Sequence, residues 1–166
     1  MADAGPFRAA VLTISTSRAR GSGEEDRGGP ALAQYAESLG AAVEVREVLA
    51  DDRELIAGRL RSLADEVGVA LILTTGGTGF APSDVTPEAT RDATDRDAPG
   101  LAEAMRAASR EHTDKWMLSR GVAGIRGSTL IVNFPGSPRS IAEAGAAIAA
   151  AIPHAVRLAS GADDPH

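Results

Sequence analysis

The stretch that most constrains this chain is residues 71–90, LILTTGGTGFAPSDVTPEAT. Leu71-Ile72-Leu73 belongs to a short apolar run of the kind required by a parallel strand buried on both faces. Thr74-Thr75-Gly76-Gly77-Thr78-Gly79 breaks that run with three glycines in four positions. Without Cβ atoms, such a turn lets backbone N–H groups face outward and approach an anion closely. Asp84 follows five residues after Gly79, and Thr86-Pro87-Glu88 reads as a helix opening: N-cap, proline at the first helical position, early acid. Strand, glycine turn, carboxylate and helix start, in that order, suit a phosphate and its metal ion. A glycine turn after a strand also serves simply to redirect the chain in many α/β proteins. Two known phosphate loops are excluded. No Gly-Lys-Ser/Thr closes this one, and Gly76-Gly77-Thr78-Gly79 lacks dinucleotide spacing.

The rest of the chain alternates the two periodicities. Ala9 to Ile14 reads as a first strand, ended by Ser15-Thr16-Ser17 and the polar, glycine-rich loop 18–29. Pro30 to Leu39 reads as a helix, with Leu32, Tyr35, Ala36 and Leu39 on one side and Gly40 as its stop. Ala42 to Val48 reads as a second strand near a sheet edge. The helix after it carries Leu55, Ile56, Leu60, Leu63 and Val67 as its apolar face. One of Asp51 and Asp52 caps that helix. If Asp51 caps, Glu54 stands at the capping-box position; if Asp52 caps, Asp51 is free to face a crevice.

Val69 to Thr74 is the third strand, and helices are expected from Pro87 to about Thr94 and from Pro99 to near Ser109, separated by the charged connector DRDAPG. Val122 to Ile125 and Thr129 to Val132 are two short strands with Arg126-Gly127-Ser128 turning between them. Asn133-Phe134-Pro135-Gly136-Ser137-Pro138 makes another tight turn. An alanine-rich helix follows from about Arg139, ended or kinked at Pro153, and a disordered tail is expected from residue 160. No repeat or linker divides the chain, so residues 1–159 are read as one domain. The fold class is α/β, a three-layer α/β/α sandwich with a mostly parallel central sheet. In such a sheet the ligand crevice lies beyond the carboxyl ends of the strands. Asp51, the glycine turn and the Asn133–Pro138 turn all follow strands.

Composition narrows the function classes. Aromatic residues make up 3% of the chain, so stacking platforms for bases are scarce. The net charge of −6 disfavours general nucleic-acid or anionic-membrane binding, and a bound polyanion then needs a local basic site or a metal ion. The absence of cysteine excludes thiolate zinc sites and a cysteine nucleophile. His112, His154 and His166 show no metal-ligand spacing. Neither a signal peptide nor a membrane span is expected, which makes the cytoplasm the default.

TTGGTGFAPSDVTPEAT closely resembles the signature of the molybdopterin adenylyltransferase family, the MogA/MoaB group that includes a domain of gephyrin. The resemblance covers nearly the whole chain, through AAVLTISTSR, VLADDRELI and SRGVAGIRGSTLIVNFPGSP. It implies an α/β sandwich, usually trimeric, that transfers AMP from Mg-ATP to the terminal phosphate of molybdopterin and releases pyrophosphate. It places the family's two essential aspartates on Asp51 and Asp84, as catalytic and magnesium-binding groups. Where the family usually has proline before the first, this chain has Ala50.

Substrate contacts implied by the resemblance fall on Thr75, Gly76, Gly77, Thr78 and Gly79, on Ser109, Ser119 and Asn133, and on Pro135 and Gly136. Ser15 and Asp26 match polar positions at the front rim, and Arg120 also matches. Mg²⁺ with ATP is implied, and no tightly bound organic cofactor. The resemblance also implies that molybdate insertion belongs to another domain, and a separate insertion protein is among the candidate partners. A molybdopterin-binding scaffold without transfer is the alternative reading.

Overall fold

The computed structural model describes residues 5–162. Six strands form one sheet: β1 (Phe7–Ile14), β2 (Ala41–Leu49), β3 (Leu71–Thr75), β4 (Arg96–Asp97), β5 (Ala123–Arg126) and β6 (Thr129–Phe134). Their order across the sheet is β2-β1-β3-β6-β5-β4. β2, β1, β3 and β6 run parallel; at the far side β5 pairs antiparallel with β6, and the two-residue β4 pairs antiparallel with β5. The expected mostly parallel sheet is therefore present, with β2 at one edge as anticipated.

The central strands are buried on both faces, and their alternate residues divide between two cores. Ala9, Val11, Leu71, Leu73, Leu130, Val132 and Phe134 face one way. On that side lie α2 (Gly28–Ser38), α5 (Pro99–Ser109), α6 (Pro138–Ile148) and α7 (Ile152–Ala159), through Leu32, Ala36, Met105, Ile141, Ile148 and Ile152. Ala10, Leu12, Ile72 and Ile131 face the other way. There they meet α3 (Arg53–Ser62) and α4 (Thr86–Ala93) through Ile56, Leu60, Ala89 and Ala93. A period of two on strands covered by helices on both sides is what makes the sandwich three layers.

Several local expectations need correction. Leu55 is 48% exposed and does not belong to the apolar face of α3. That helix ends at Ser62 and widens into one π turn, Leu63–Val67, closed by Gly68 at φ 72°. Leu63 is fully buried and continues the face of Ile56 and Leu60. Thr86 is the first residue of α4 and not its N-cap, which is Val85. The hydroxyl of Thr86 instead donates to the Gly76 carbonyl at 3.0 Å. The connector DRDAPG contains β4, whose register against Gly124 and Ile125 extends the sheet. Pro153 stands in the first turn of α7, which is bent by 66° from α6. Of the tail, Ser160 to Ala162 follow the end of α7, and residues 163–166 lie outside the described residues. Among the described residues no single helix is long and apolar enough to cross a membrane.

Candidate functional site

The four parallel strands end at one rim, and each delivers polar groups there. β1 leads into Ser15 and the short α1 (Thr16–Ala19), β2 into Asp51, β3 into the glycine turn and β6 into Pro135-Gly136. The chain order departs from β1 to β2 on one side and to β3 on the other. The crevice between the ends of β1 and β3 is thus a topological switch point, where α/β sheets bind ligands.

Asp51 and Asp52 divide their work. Asp52 is the N-cap of α3: its carboxylate accepts from the Leu55 N–H at 2.9 Å. Asp51 is thereby free of capping and turns towards the end of β1. Its Oδ2 accepts from both the N–H and the hydroxyl of Thr16, each at 2.9 Å, while its own N–H donates to the Thr16 Oγ1 at 2.9 Å. Thr16 fixes the rotamer of Asp51, a role that no sequence pattern announced.

The glycine turn closes tightly against its neighbours. Gly76 and Gly77 adopt φ of 96° and 67°, the left-handed region that disfavours a side chain. A Cβ on Gly76 would stand 2.5 Å from the Ile14 carbonyl oxygen. One on Gly77 would stand 2.3 Å from Thr86 Oγ1 and 3.2 Å from Asp51 Oδ1. One on Gly79 would stand 2.9 Å from Asp84 Oδ2. The two carboxylates therefore border the same glycine turn, Asp51 beside Gly77 and Asp84 beside Gly79. Asp84 is held locally, its Oδ2 accepting from the Ala81 N–H at 3.0 Å and its N–H donating to the Ala81 carbonyl at 2.9 Å.

Next to this turn lies a cavity of about 170 Å³, far more than the ~10–15 Å³ that admits one water. Ser109, Ser119, Asn133 and Pro135 line it, as do Lys115 and Trp116. The cavity does not include the aspartates or the glycine turn. Two links join the regions: the Thr75 hydroxyl donates to the Pro135 carbonyl at 2.6 Å, and Arg120 spans from the cavity wall to the turn. The arrangement is a largely apolar cavity that carries Lys115, Arg106 and a few hydroxyls but no acid, beside an acidic, glycine-lined rim. Such a pair can hold an organic group in one half and present a phosphate chain to a hard cation in the other.

Not every expected site residue is free to meet a ligand. Asn133 is 3% exposed, and its amide is fully engaged. It donates to the Thr74 and Thr90 hydroxyls at 3.0 and 2.9 Å, and its Oδ1 accepts from the Val122 N–H at 3.1 Å. It lines the cavity and ties β6 to β3, to α4 and to Val122 just before β5. The Ser109 hydroxyl donates back to the Met105 carbonyl at 3.0 Å and keeps its acceptor lone pairs for the cavity. Ser15 caps α1, with its Oγ accepting from the Arg18 N–H at 3.4 Å. Asp26 belongs to neither half. It accepts from the Thr13 hydroxyl at 2.8 Å and the Gly29 N–H at 2.9 Å, and lines a separate cavity with Arg46 and Glu47. Among the residues missed, Lys115 and Trp116 carried a faint signal: they are the chain's only lysine and only tryptophan, side by side.

The rim's main ion pair is Arg120 with Glu88, in the first turn of α4. The guanidinium holds the Glu88 carboxyl below its ordinary value of 4.5, chiefly through the hydrogen bond between them.

Comparisons with known proteins place the chain in a family. The family model described as "Probable molybdopterin binding domain" matches residues 10–154. The chain is 42% identical over 149 residues to the molybdenum cofactor synthesis protein cinnamon of Drosophila melanogaster, covering 89% of this chain and 25% of that protein. It is 45% identical over 115 residues to the molybdopterin adenylyltransferase of Helicobacter pylori (strain J99), covering 69% of this chain and 65% of that protein. The chain thus spans less than two thirds of the length of either relative. Among solved structures, the molybdopterin biosynthesis enzyme MoaB of Thermus thermophilus superposes with a TM-score of 0.87 at 44% identity, covering 93% of this chain and 97% of that one. The sheet order, the glycine turn and a match spanning most of the sequence lead to one conclusion: the chain belongs to the molybdopterin-binding domain family of molybdenum cofactor biosynthesis.

Proposed function

We propose that the chain is a molybdopterin adenylyltransferase, transferring AMP from Mg-ATP to the terminal phosphate of molybdopterin and releasing pyrophosphate. The observation that carries this reading is the placement of Asp51 and Asp84 beside one glycine turn, next to a cavity lined by Ser109, Ser119, Lys115 and Trp116. The Helicobacter relative, named for this activity, supports it. In the reaction a phosphate oxygen of the pterin attacks the α-phosphorus of ATP. A new P–O–P bond forms, the α–β bridge breaks, and pyrophosphate leaves with the bond's electron pair. The nucleophile is already anionic, so positioning and charge neutralisation, and not a strong base, govern the rate.

The donor set fits magnesium. Two carboxylates supply hard oxygen ligands, and among the described residues no group of three or more His, Cys, Asp or Glu side chains forms a closed metal cage. When bound with ATP, Mg²⁺ supplies neutralisation of the triphosphate; Asp51 and Asp84 would hold it. The chain's own groups do the rest. Gly76, Gly77 and Gly79 bring backbone close to the phosphates, Thr16 orients Asp51, and Ser109 and Ser119 offer uncharged hydrogen bonds to the pterin in the cavity.

The proposal includes a homotrimer, a cytoplasmic location with the ATP supply, and a separate protein for molybdate insertion. The test incubates purified protein with molybdopterin and Mg-ATP and measures adenylylated pterin and pyrophosphate together. Stoichiometric appearance of both is expected. Tight pterin binding with no transfer would replace the enzyme by a binding scaffold, and a stable monomer by solution mass would remove the trimer.

A further inference from the structure

We infer that Arg120 is a positioning residue that locks the loop bearing Asp84 against the wall of the cavity, so that one side chain sets the relative placement of the two half-sites. The inference rests on the adenylyl-transfer reading for its functional consequence. Its structural content stands on bonds alone.

Residues 76–85 belong to no strand or helix, and carbonyl groups released from regular structure need partners. Arg120 supplies three of them. Its backbone N–H donates to the Thr78 carbonyl at 2.8 Å, its Nε to the Gly79 carbonyl at 2.8 Å and its Nη2 to the Asp84 carbonyl at 2.7 Å. Nη1 completes the fork on the Glu88 carboxylate at the head of α4. One guanidinium therefore grips both ends of the 79–84 loop and the helix that follows it. The neighbours of Arg120 in sequence, Ser119 and Gly121, are walls of the cavity. Gly121 is anchored in its turn: its carbonyl accepts from Arg106 Nη1 at 2.7 Å. A rigid path thus runs from α5, through residues 119–121, to Asp84.

The geometry demands arginine in particular. Three directions of donation from one planar group match three acceptors around it, whereas a lysine ammonium carries the same charge without the fork. Glu88 fixes the plane of the fork, and its carboxylate neutralises a cation that would otherwise stand beside the phosphates. Arg120 itself is committed to loop carbonyls, which is why it is assigned to positioning and not to substrate contact.

The test compares wild type with Arg120→Lys and Glu88→Gln. The readouts are kcat and KM for Mg-ATP, molybdopterin binding through Trp116 fluorescence, and amide hydrogen exchange across the chain. For Arg120→Lys, kcat should fall by about tenfold to a hundredfold, the scale of a small misplacement of reacting groups. Pterin affinity should change little, and exchange should rise in residues 77–85 while β1, β3 and β6 stay protected. Glu88→Gln, which keeps an acceptor for the fork, should show the same pattern in weaker form and guards against a misfolded arginine variant. Unchanged exchange in 77–85 for both variants overturns the inference. So does a uniform rise across the core strands, which marks general destabilisation. If wild type transfers no AMP, the functional reading fails, yet the exchange comparison still decides whether Arg120 holds the loop.

Discussion

Replacing Gly77 by alanine tests whether the glycine turn is as tightly built as its geometry implies. At φ 67° an alanine enters the left-handed region, which costs roughly 1–2 kcal/mol. Its Cβ would lie 2.3 Å from Thr86 Oγ1, so the hydroxyl must move. Thr86 is fully buried, and moving it breaks its 3.0 Å bond to the Gly76 carbonyl. Leaving buried polar groups unpaired adds about 1–3 kcal/mol. The total is roughly 2–5 kcal/mol, or a fall in Tm of about 4–20 °C for a domain of this size. The control is Gly58→Ala, in the exposed middle of α3 with nothing within 4 Å of the added methyl. That change should stabilise by about 0.5–1 kcal/mol through helix propensity. Thermal unfolding by circular dichroism reads both. Because Asp51 Oδ1 stands 3.2 Å from the same Cβ, folded Gly77→Ala protein should also transfer AMP more slowly. A Gly77→Ala protein that melts with wild type and transfers AMP at its rate would refute the packing argument.

Asp51→Asn and Asp84→Asn should each lower AMP transfer by about a hundredfold or more while pterin binding persists, and normal transfer by either variant removes that residue from the mechanism. Ser119→Ala, in contrast, should weaken pterin binding by roughly 0.5–1.5 kcal/mol, read by titration of Trp116 fluorescence. Thorough chelation of divalent cations should abolish transfer and magnesium should restore it; undiminished transfer would assign the two aspartates another purpose. Tyr35 gives a stability signature at high pH. Burial raises its phenol from 10.0 to about 12, and its hydroxyl donates to the Gly145 carbonyl at 2.7 Å. The neutral phenol is favoured in the folded state, so this contribution is fully present below pH 10 and is lost as pH rises towards 12. Urea unfolding across that window should show a decline that Tyr35→Phe flattens, and an identical decline in both proteins would contradict it.

Much of the layer architecture was legible in the sequence because burial direction repeats locally. Val11, Leu73 and Val132 share one face, and Leu12, Ile72 and Ile131 the other, simply because strand side chains alternate. The helix starts at Pro99 and Pro153 follow from the missing N–H and fixed φ of proline, which suit a first helical turn and are also short-range properties. The glycines at 76 and 77 announced a turn, and the signature around them announced the family. Tertiary structure decided the questions that local pattern left open. Asp52 caps α3 because its backbone is extended there, and that leaves Asp51 to Thr16, 35 residues away. Thr86 serves Gly76 and not its own helix. Asn133 lines the cavity yet spends its amide N–H groups on Thr74 and Thr90, and Asp26, matched by the family resemblance to the front rim, turns to Thr13. Arg120 meets Gly79 across 41 residues only because residues 119–121 pass beside the loop after β3. Local sequence encodes which way a side chain points from its own strand or helix; which distant carbonyl or hydroxyl it finds there depends on strand order, and strand order is a property of the packed chain.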